Sequence, residues 1–295
     1  MLSDKDIEFY HDQGYLVVPD VLSEAEVARL RTACDEMVES AREVTEHTEV
    51  YDLEDSHTPN APRIRRIKTP DRWHDAFAAM VAQDKIVAIM ADLIGPSVRF
   101  DISKLNMKDP GGGAPVEWHQ DWAFYPHTND DLCAVGIMID DMTLDNGPLM
   151  VVPGSHKGPV YDHHAHGRFC GAITDPAVDS EYAKAVPVTG KAGSISIHHV
   201  RILHGSTANQ SGQPRRLLLH QYRAADAWPM VIMPSDWETY EGQMVSGEST
   251  LEPRMEKVPV RLPFPPAENQ GSIYENQRTT TATQLIDATG RQRVG

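Results

Sequence analysis

The stretch Trp118-His119-Gln120-Asp121 places a histidine and an aspartate two residues apart in a segment that we predict to be a β-strand. Successive side chains of a strand point to opposite faces, so His119 and Asp121 are expected on one face, with Gln120 and Trp118 on the other. His204 lies far downstream and is the candidate for a third ligand. We therefore expect two histidines and one carboxylate to converge around a metal ion.

A second binding element follows the third ligand. After the turn-forming stretch Ser211-Gly212-Gln213-Pro214, Arg215 is predicted to begin the antiparallel return strand with its guanidinium facing the metal. A planar guanidinium suits bidentate capture of a carboxylate, and 2-oxoglutarate requires metal at one end and such a group at the other. Ser206, two residues after His204, could add a hydroxyl to that far carboxylate. Arg216 is the alternative if the register shifts by one.

The ligand types favour one class of metalloprotein and leave a second one open. Two histidines and one carboxylate, with the remaining positions vacant, are the ligand set of non-haem Fe(II) oxygenases. Cys34, Cys133 and Cys170 are too dispersed for a structural zinc site. A catalytic zinc could use the same three ligands, as in a non-oxidative metal-binding β-barrel that acts as a hydrolase, isomerase or binding protein. Such a protein would have no use for Arg215.

The chain has 14 histidines, which invite other assignments. His198 and His199 closely precede His204, but neither is followed by Gly-Ser and by an arginine at the right distance. The histidine cluster at residues 163–166 is interpreted as an exposed loop. Three aromatic residues after the first ligands are assigned with equal weight to a substrate pocket or to packing: Trp122, Phe124 and Tyr125.

Five blocks of sequence occur together in this chain: Trp118-His119-Gln120-Asp121, Asp145-Asn146-Gly147-Pro148-Leu149, Val152-Pro153-Gly154-Ser155-His156-Lys157-Gly158, His204-Gly205-Ser206 and Arg215. In this order they resemble the phytanoyl-CoA dioxygenase family of iron- and 2-oxoglutarate-dependent oxygenases. The resemblance implies a mainly β protein with N-terminal helices and a double-stranded β-helix core, that is, a cupin-like jelly roll. It also implies Fe(II) at His119, Asp121 and His204, and 2-oxoglutarate at Arg215, Ser206 and, by position, Lys104.

The resemblance further implies an activity. Fe(II), O2 and 2-oxoglutarate would act together to give succinate and CO2 while an unactivated C–H bond of the substrate is hydroxylated. Asp121 argues against halogenation, because halogenases of this kind usually replace the carboxylate by a small residue. Gly136-Ile137 stands where the fatty-acyl-CoA member carries a tryptophan. The substrate of that member is therefore not carried over to this chain. A small metabolite or natural-product intermediate is the expected substrate.

Composition limits the partners and the location. The chain has 295 residues and a formal net charge of −16, which disfavours nucleic acid and anionic membranes as partners. No stretch approaches the roughly 20 apolar residues of a membrane span, and the N-terminus lacks the pattern of a signal peptide. The scattered cysteines indicate reduced thiols, so a cytoplasmic location is expected.

Helical patterns come first in the chain. Ser3 is predicted to begin a short helix that Gly14 ends. A capping box at Ser23 begins an amphipathic helix that extends to about Val44. A further helical pattern covers residues 71–94, and the charged stretch at 50–68 between these helices is predicted to be a loop.

Short apolar or alternating runs, separated by turn residues, dominate the sequence from Val98 onward and predict a β core. The expected organisation is a single catalytic oxygenase domain over residues 1–266. Its parts are a helical region at about 1–96 and a β core at about 97–225, and residues 267–295 are expected to form a polar, loosely held tail.

Overall fold

A computed structural model describes residues 1–267 and 273–278 of the chain. Helices cover the outer face of a large antiparallel sheet, and the inner face of this sheet packs against a smaller sheet. The helices are α1 (Asp4–Gln13), α2 (Glu24–Ser40), α3 (Asp75–Val81), α4 (Asp84–Ile94), α5 (Asp179–Tyr182), α6 (Trp237–Glu241) and α7 (Ile273–Arg278).

The strands form two sheets and one hairpin. They are β1 (Tyr15–Val18), β2 (Tyr51–Leu53), β3 (Ile64–Lys68), β4 (Val98–Lys108), β5 (Val116–His119), β6 (Leu132–Met138), β7 (Leu149–Val151), β8 (His164–Ala165), β9 (Arg168–Phe169), β10 (Val186–Val188), β11 (Ile195–His199), β12 (His204–Ser206), β13 (Arg215–Ala224) and β14 (Met244–Ser246). The major sheet has the order β1-β11-β6-β13-β4-β3-β2, with β14 on β4, and the minor sheet has the order β10-β7-β12-β5. Strands β8 and β9 pair with each other.

The central strand β13 shows how the sequence builds two cores. Leu218 points to the outer face and packs in the core formed with the helices. Leu217 and Leu219 point inward and pack with Leu149 and Val151 of the minor sheet. A strand that is buried on both faces needs apolar side chains at successive positions, which accounts for the unbroken leucine run.

The connection from His204 to Arg215 differs from the prediction. His204 begins β12 in the minor sheet, and Arg215 begins β13 in the major sheet, so the chain crosses between sheets instead of returning beside β12. In the minor sheet His204 lies opposite His119, and in the major sheet Arg215 lies opposite Lys108. Two facing sheets therefore supply the two ends of the expected site.

The prediction of a loop over residues 50–68 is wrong at both ends of the stretch, because β2 and β3 extend the major sheet at its edge, and only residues 54–63 between them form a connection. Asp52 of β2 is buried and forms ion pairs with Arg66 (2.8 Å) and Lys68 (2.9 Å) of β3. Pairing offsets the cost of burying this carboxylate. Dense charge, which favoured a loop in the sequence, here belongs to the two outermost strands on this side of the sheet.

The helical pattern at residues 71–94 consists of two helices. His74 caps α3 by accepting a hydrogen bond from Ala76 N, and Gln83 caps α4 by accepting one from Ile86 N. Each cap begins a new helix because it satisfies an amide that has no partner in the first turn. The preceding helix α2 ends at Ser40 rather than near Val44.

The segment 273–278 is not the loosely held tail that was predicted. Tyr274 and Gln277 of α7 are buried. Gln277 Nε2 donates to the Gly171 carbonyl (2.8 Å), and Gln277 Oε1 accepts from Glu117 N (3.0 Å). Residues 268–272 and 279–295 of that tail lie outside the described residues, and the division into one domain and a tail stays a prediction.

The three cysteines are buried free thiols, as expected. Burial raises the pKa of Cys34 and Cys133 to about 12. Within residues 1–267 and 273–278, no helix combines the length and the apolar character that crossing a bilayer would require.

The turn after α1 depends on Gly14, which has a left-handed φ of 78°. A Cβ atom at Gly14 would lie 2.3 Å from His156 Nδ1, so the imidazole packs directly on the bare Cα. Lys157 Nζ adds an ion pair with Asp12 of the same helix (2.7 Å). The block Val152 to Gly158 therefore fastens the N-terminal helix to the β core.

We expect Gly14→Ala to lower the free energy of unfolding by more than about 2 kcal/mol, because the methyl group adds a clash to a strained backbone. Gly111→Ala is the matched control, since Gly111 has a φ of 70° but no atom within 4 Å of an added Cβ. It should lose only the backbone contribution of about 1 kcal/mol. Urea unfolding measures both variants, and equal losses would contradict the packing of His156 on Gly14.

Candidate active site

His119, Asp121 and His204 meet at one buried point. One donor atom from each lies within 4.8 Å of the other two. His119 Nε2 is 3.7 Å from Asp121 Oδ1, and His204 Nε2 is 3.9 Å from Oδ2. In the described part of the chain this is the one group of three such side chains arranged to hold a metal. The structure thus brings together all three predicted ligands.

The local backbone differs from the expected continuous strand. β5 ends at His119, and Asp121 begins a 3-10 turn. Gln120 between them keeps an extended conformation (φ −122°, ψ 125°). Both ligands consequently still reach the same point, while Gln120 points away from it.

Both histidines present the nitrogen that a metal needs. His119 Nδ1 lies 2.8 Å from the Glu117 carbonyl, and His204 Nδ1 lies 3.0 Å from the Ile202 carbonyl. A carbonyl only accepts, so each Nδ1 carries the hydrogen and each Nε2 offers a lone pair towards Asp121. Burial lowers the pKa of His119 to about 4 and that of His204 well below its usual value. Neutral imidazoles are the form that binds a metal.

The carboxylate is ionised in spite of its burial. Burial alone would raise the pKa of Asp121, but the Lys104 ammonium opposes it, and the pKa lies well below the usual value. Lys104 Nζ is 4.0 Å from Asp121 Oδ1. The metal ligand set is therefore two neutral imidazoles and one carboxylate, which fits a divalent iron.

Gln120 holds the segment between the ligands. Its Oε1 accepts from Tyr161 N (2.9 Å), and its Nε2 donates to the carbonyls of Arg201 (2.8 Å) and Pro159 (3.1 Å). Its own amide donates to His163 Nε2 (2.9 Å). His163 is buried, so the interpretation of the 163–166 cluster as an exposed loop is wrong for this residue.

The three aromatic residues after the ligands divide between packing and the site. Trp122 is fully buried in a separate core cluster. Phe124 lies edge-on to His119, with ring centroids 5.9 Å apart. Burial and the Asp121 carboxylate raise the pKa of Tyr125 well above its usual value, which places this phenol beside the metal ligands.

Arg215 is buried and lines a cavity that reaches His119 and His204. Its Nε and Nη2 both donate to the Gly147 carbonyl (3.0 and 2.5 Å). Gly147 has a φ of 78°, and a Cβ there would lie 2.6 Å from the Thr207 carbonyl oxygen. The block Asp145 to Leu149 thus requires a glycine at position 147, so that the Gly147 carbonyl can orient the Arg215 guanidinium.

Lys108 is the cross-strand neighbour of Arg215 and was not among the predicted site residues. Its Nζ is buried and donates to Ser206 Oγ (2.8 Å) and to the Thr207 carbonyl. Burial, reinforced by Arg215, holds the pKa of Lys108 well below its usual value, and burial lowers that of Arg215 to about 10. Among the described residues no carboxylate forms an ion pair with either one. Two buried cations without a counterion are costly, which indicates a site for an anion.

Lys104 and Arg216 occupy different places from this pair. Lys104 lines the same cavity at its metal end, so its predicted contact with 2-oxoglutarate stays a prediction. Arg216 points to the other face of the sheet and pairs with Asp140 (2.8 Å) and Asp35 (3.1 Å). The alternative register for the carboxylate-binding arginine is therefore wrong.

Comparisons with known proteins agree with this geometry. The phytanoyl-CoA dioxygenase (PhyH) family matches residues 10–217. A probable alpha-ketoglutarate-dependent hypophosphite dioxygenase of Stutzerimonas stutzeri is 41% identical over 92% of this chain and 96% of its own length. An L-proline trans-4-hydroxylase of Streptomyces griseoviridis is 30% identical, over 75% of this chain and 86% of its own. The crystal structure of the non-heme alpha ketoglutarate dependent carbocyclase SnoK, from nogalamycin biosynthesis, is 28% identical with a TM-score of 0.61, covering 77% of this chain and 85% of that one.

The chain belongs to the phytanoyl-CoA dioxygenase family. The predicted fold, mainly β with N-terminal helices and a cupin-like jelly-roll core, is confirmed. The protein is an Fe(II)- and 2-oxoglutarate-dependent dioxygenase, so the oxidative interpretation of the ligand set is preferred to the non-oxidative one.

We expect Gln120→Leu to lower the free energy of unfolding by about 2–4 kcal/mol, because it leaves buried backbone groups without partners. The affinity for Fe(II) should fall as well, since Gln120 fixes the backbone between two ligands. Gln210→Leu, at an exposed position, is the control and should change neither quantity. Urea unfolding and anaerobic metal titration measure the effects, and unchanged metal affinity in a destabilised Gln120→Leu protein would contradict the positioning role.

Proposed function

We propose a role for each residue of this site in the hydroxylation of a small molecule. One observation carries the proposal: His119 and His204 of the metal-binding triad line one cavity between facing sheets together with Ser206 and the buried Arg215. Lys108 adjoins this cavity, since its Nζ donates to Ser206 Oγ (2.8 Å). The iron is bound by His119, Asp121 and His204, and the far carboxylate of 2-oxoglutarate is bound by Arg215, Ser206 and Lys108.

Iron, 2-oxoglutarate and O2 supply the oxidising chemistry in such an enzyme. The chain contributes binding and orientation. Arg215 and Lys108 offset the charge of the cosubstrate where water is excluded, so the electrostatic attraction there is strong. Asp121 keeps its place as an anionic ligand, which supports hydroxylation over halogenation.

A small metabolite or natural-product intermediate is the proposed substrate. The printed names of two relatives support this size, since one concerns hypophosphite and the other L-proline. The net charge of −16 supports the proposal that nucleic acid and anionic membranes are not partners. The free thiols support the proposal that the protein works in the cytoplasm.

Asp121→Ala should nearly abolish succinate formation from 2-oxoglutarate, because it removes the one anionic iron ligand among the proposed three. Loss of Fe(II) affinity in an anaerobic titration should accompany it. A variant with full iron-dependent turnover would refute the assignment of Asp121.

Arg215→Met should raise the Kd for 2-oxoglutarate by about 10- to 100-fold, the range expected when a charge-assisted hydrogen bond is lost. Affinity for Fe(II) should stay within about twofold of the wild type, because Arg215 does not contact the triad. Arg216→Met is the matched control and should leave the Kd unchanged. A deep loss of iron with normal cosubstrate affinity would contradict this role.

Lys108→Met should also raise the Kd for 2-oxoglutarate by about tenfold or more, because Lys108 supplies the second buried cation. Lys104→Met is the comparison, since the two lysines share one face of β4. If Lys104→Met weakens 2-oxoglutarate more than Lys108→Met does, the cosubstrate contact belongs to Lys104, as the family resemblance implied.

A further inference from the structure

Besides the Tyr125 phenol, two polar side chains face the metal triad without belonging to it. Lys104 of β4 places Nζ 4.0 Å from Asp121 Oδ1, and His198 of β11 places Nε2 3.5 Å from Asp121 Oδ2. Both side chains line the cavity that contains His119 and His204. They lie on opposite sides of the carboxylate, on strands that β13 and β6 separate.

His198 is buried, and its hydrogen-bonding capacity is largely unused. Its side chain is 2% exposed, Nδ1 has no hydrogen-bond partner among residues 1–267 and 273–278, and Nε2 reaches only Asp121 Oδ2, at the limiting distance of 3.5 Å. The ring packs on that of His204, with centroids 4.6 Å apart. Buried polar groups are nearly always satisfied, so an orphan imidazole in a cavity indicates a polar ligand.

Lys104 differs from the neighbouring lysine in its electrostatic surroundings. Lys68 lies opposite it on β3 and pairs with Asp52 at 2.9 Å. In the described part of the chain, the carboxylate nearest to Lys104 Nζ is that of Asp121, which the iron would engage. Iron binding therefore leaves Lys104 with a positive charge that faces the cavity.

The residues between the two side chains leave little room on the inner face of the sheet. His198 pairs with Ala134 of β6, and Lys104 pairs with Leu219 of β13, which in turn pairs with Gly136. Leu217 already fills the space over Gly136, since a Cβ there would lie 3.0 Å from Leu217 Cδ1. The space suits a compact ligand.

The formal charges around this space do not balance. Divalent iron, Arg215, Lys104 and Lys108 carry more positive charge than Asp121 and the dianion 2-oxoglutarate offset, and a positive charge remains even if Lys108 is neutral. Such an excess is costly beside a buried metal site, and an anionic ligand reduces it.

We infer that the substrate is a small oxyanion, such as a phosphinate, phosphonate or carboxylate, bound by Lys104 and His198 beside the iron. The inference rests on the proposed function. The reaction replaces one X–H bond of the anion (X being carbon or phosphorus) by X–OH. One oxygen atom of O2 enters the substrate and the other enters succinate, and 2-oxoglutarate loses CO2.

Binding to the Fe(II)- and 2-oxoglutarate-loaded enzyme, measured anaerobically by calorimetry, tests the inference without relying on turnover. The probes are hypophosphite and methylphosphonate as oxyanions, and L-proline as a zwitterion. At least one oxyanion should bind about tenfold or more tightly than L-proline, since an extra ammonium group opposes Lys104.

Variants assign the contacts. Lys104→Met should weaken binding of the oxyanion by about tenfold or more, and Lys104→Arg should restore part of it. His198→Leu should weaken the same probe. Lys68→Met is the matched control, because it removes an equal charge one strand away, and it should leave the Kd within about twofold.

Four results would overturn the inference. L-proline could bind more tightly than both oxyanions, Lys104→Met could weaken 2-oxoglutarate instead of the oxyanion, or Lys68→Met could act as strongly as Lys104→Met. Absence of any oxyanion binding would overturn it as well. Formation of succinate by the wild type separates the two proposals, because its absence refutes the proposed function itself.

Discussion

The pairing of β12 with β5 is the interaction on which the metal site depends. It sets His204 directly opposite His119, with the two rings 4.0 Å apart between centroids, although the residues are distant in sequence. β7 pairs with the other edge of β12, where His204 lies opposite Val151, so the register is fixed from both sides. Asp121 needs only the turn after β5 to join them. A shift of β12 by one residue would turn its ligand to the other face and dissolve the triad.

The major sheet complements this arrangement with charge. Pairing of β13 with β4 brings Arg215 beside Lys108, and the apolar contacts of Leu217 and Leu219 with Leu149 keep this pair at a fixed distance from the triad. The two histidines of the triad therefore come from the minor sheet and the two buried cations come from the major sheet, and the core between them sets the spacing. Under the proposed function these cations are satisfied when the dianion 2-oxoglutarate binds, so cosubstrate binding and folding stability would be linked.

The sequence motifs predicted the ligand residues, but they could not predict the residues and strands that surround them. Four site residues could be predicted because each sequence block specifies chemistry by residue type and spacing: His119, Asp121, His204 and Arg215. The strand at 64–68 could not be predicted from the sequence, because its charges are satisfied by Asp52 through a non-local pairing. The sheet that β12 joins, and the helix at 273–278, likewise follow from tertiary contacts. Lys108 could have been predicted, since the alternation of Lys104, Asn106 and Lys108 along β4 indicates a polar inner face.

That alternation also explains how one strand can contact both the cosubstrate and the substrate. Residues four positions apart on a strand are separated by about 13 Å, so Lys104 and Lys108 approach opposite ends of the cavity. Lys108 lies with Ser206 and Arg215 at the far end, and Lys104 lies beside Asp121 at the metal end. Any contact of Lys104 with 2-oxoglutarate would have to involve the carboxylate next to the iron. Because iron already neutralises that carboxylate, an anionic substrate stabilises a cation at this position more than the cosubstrate does.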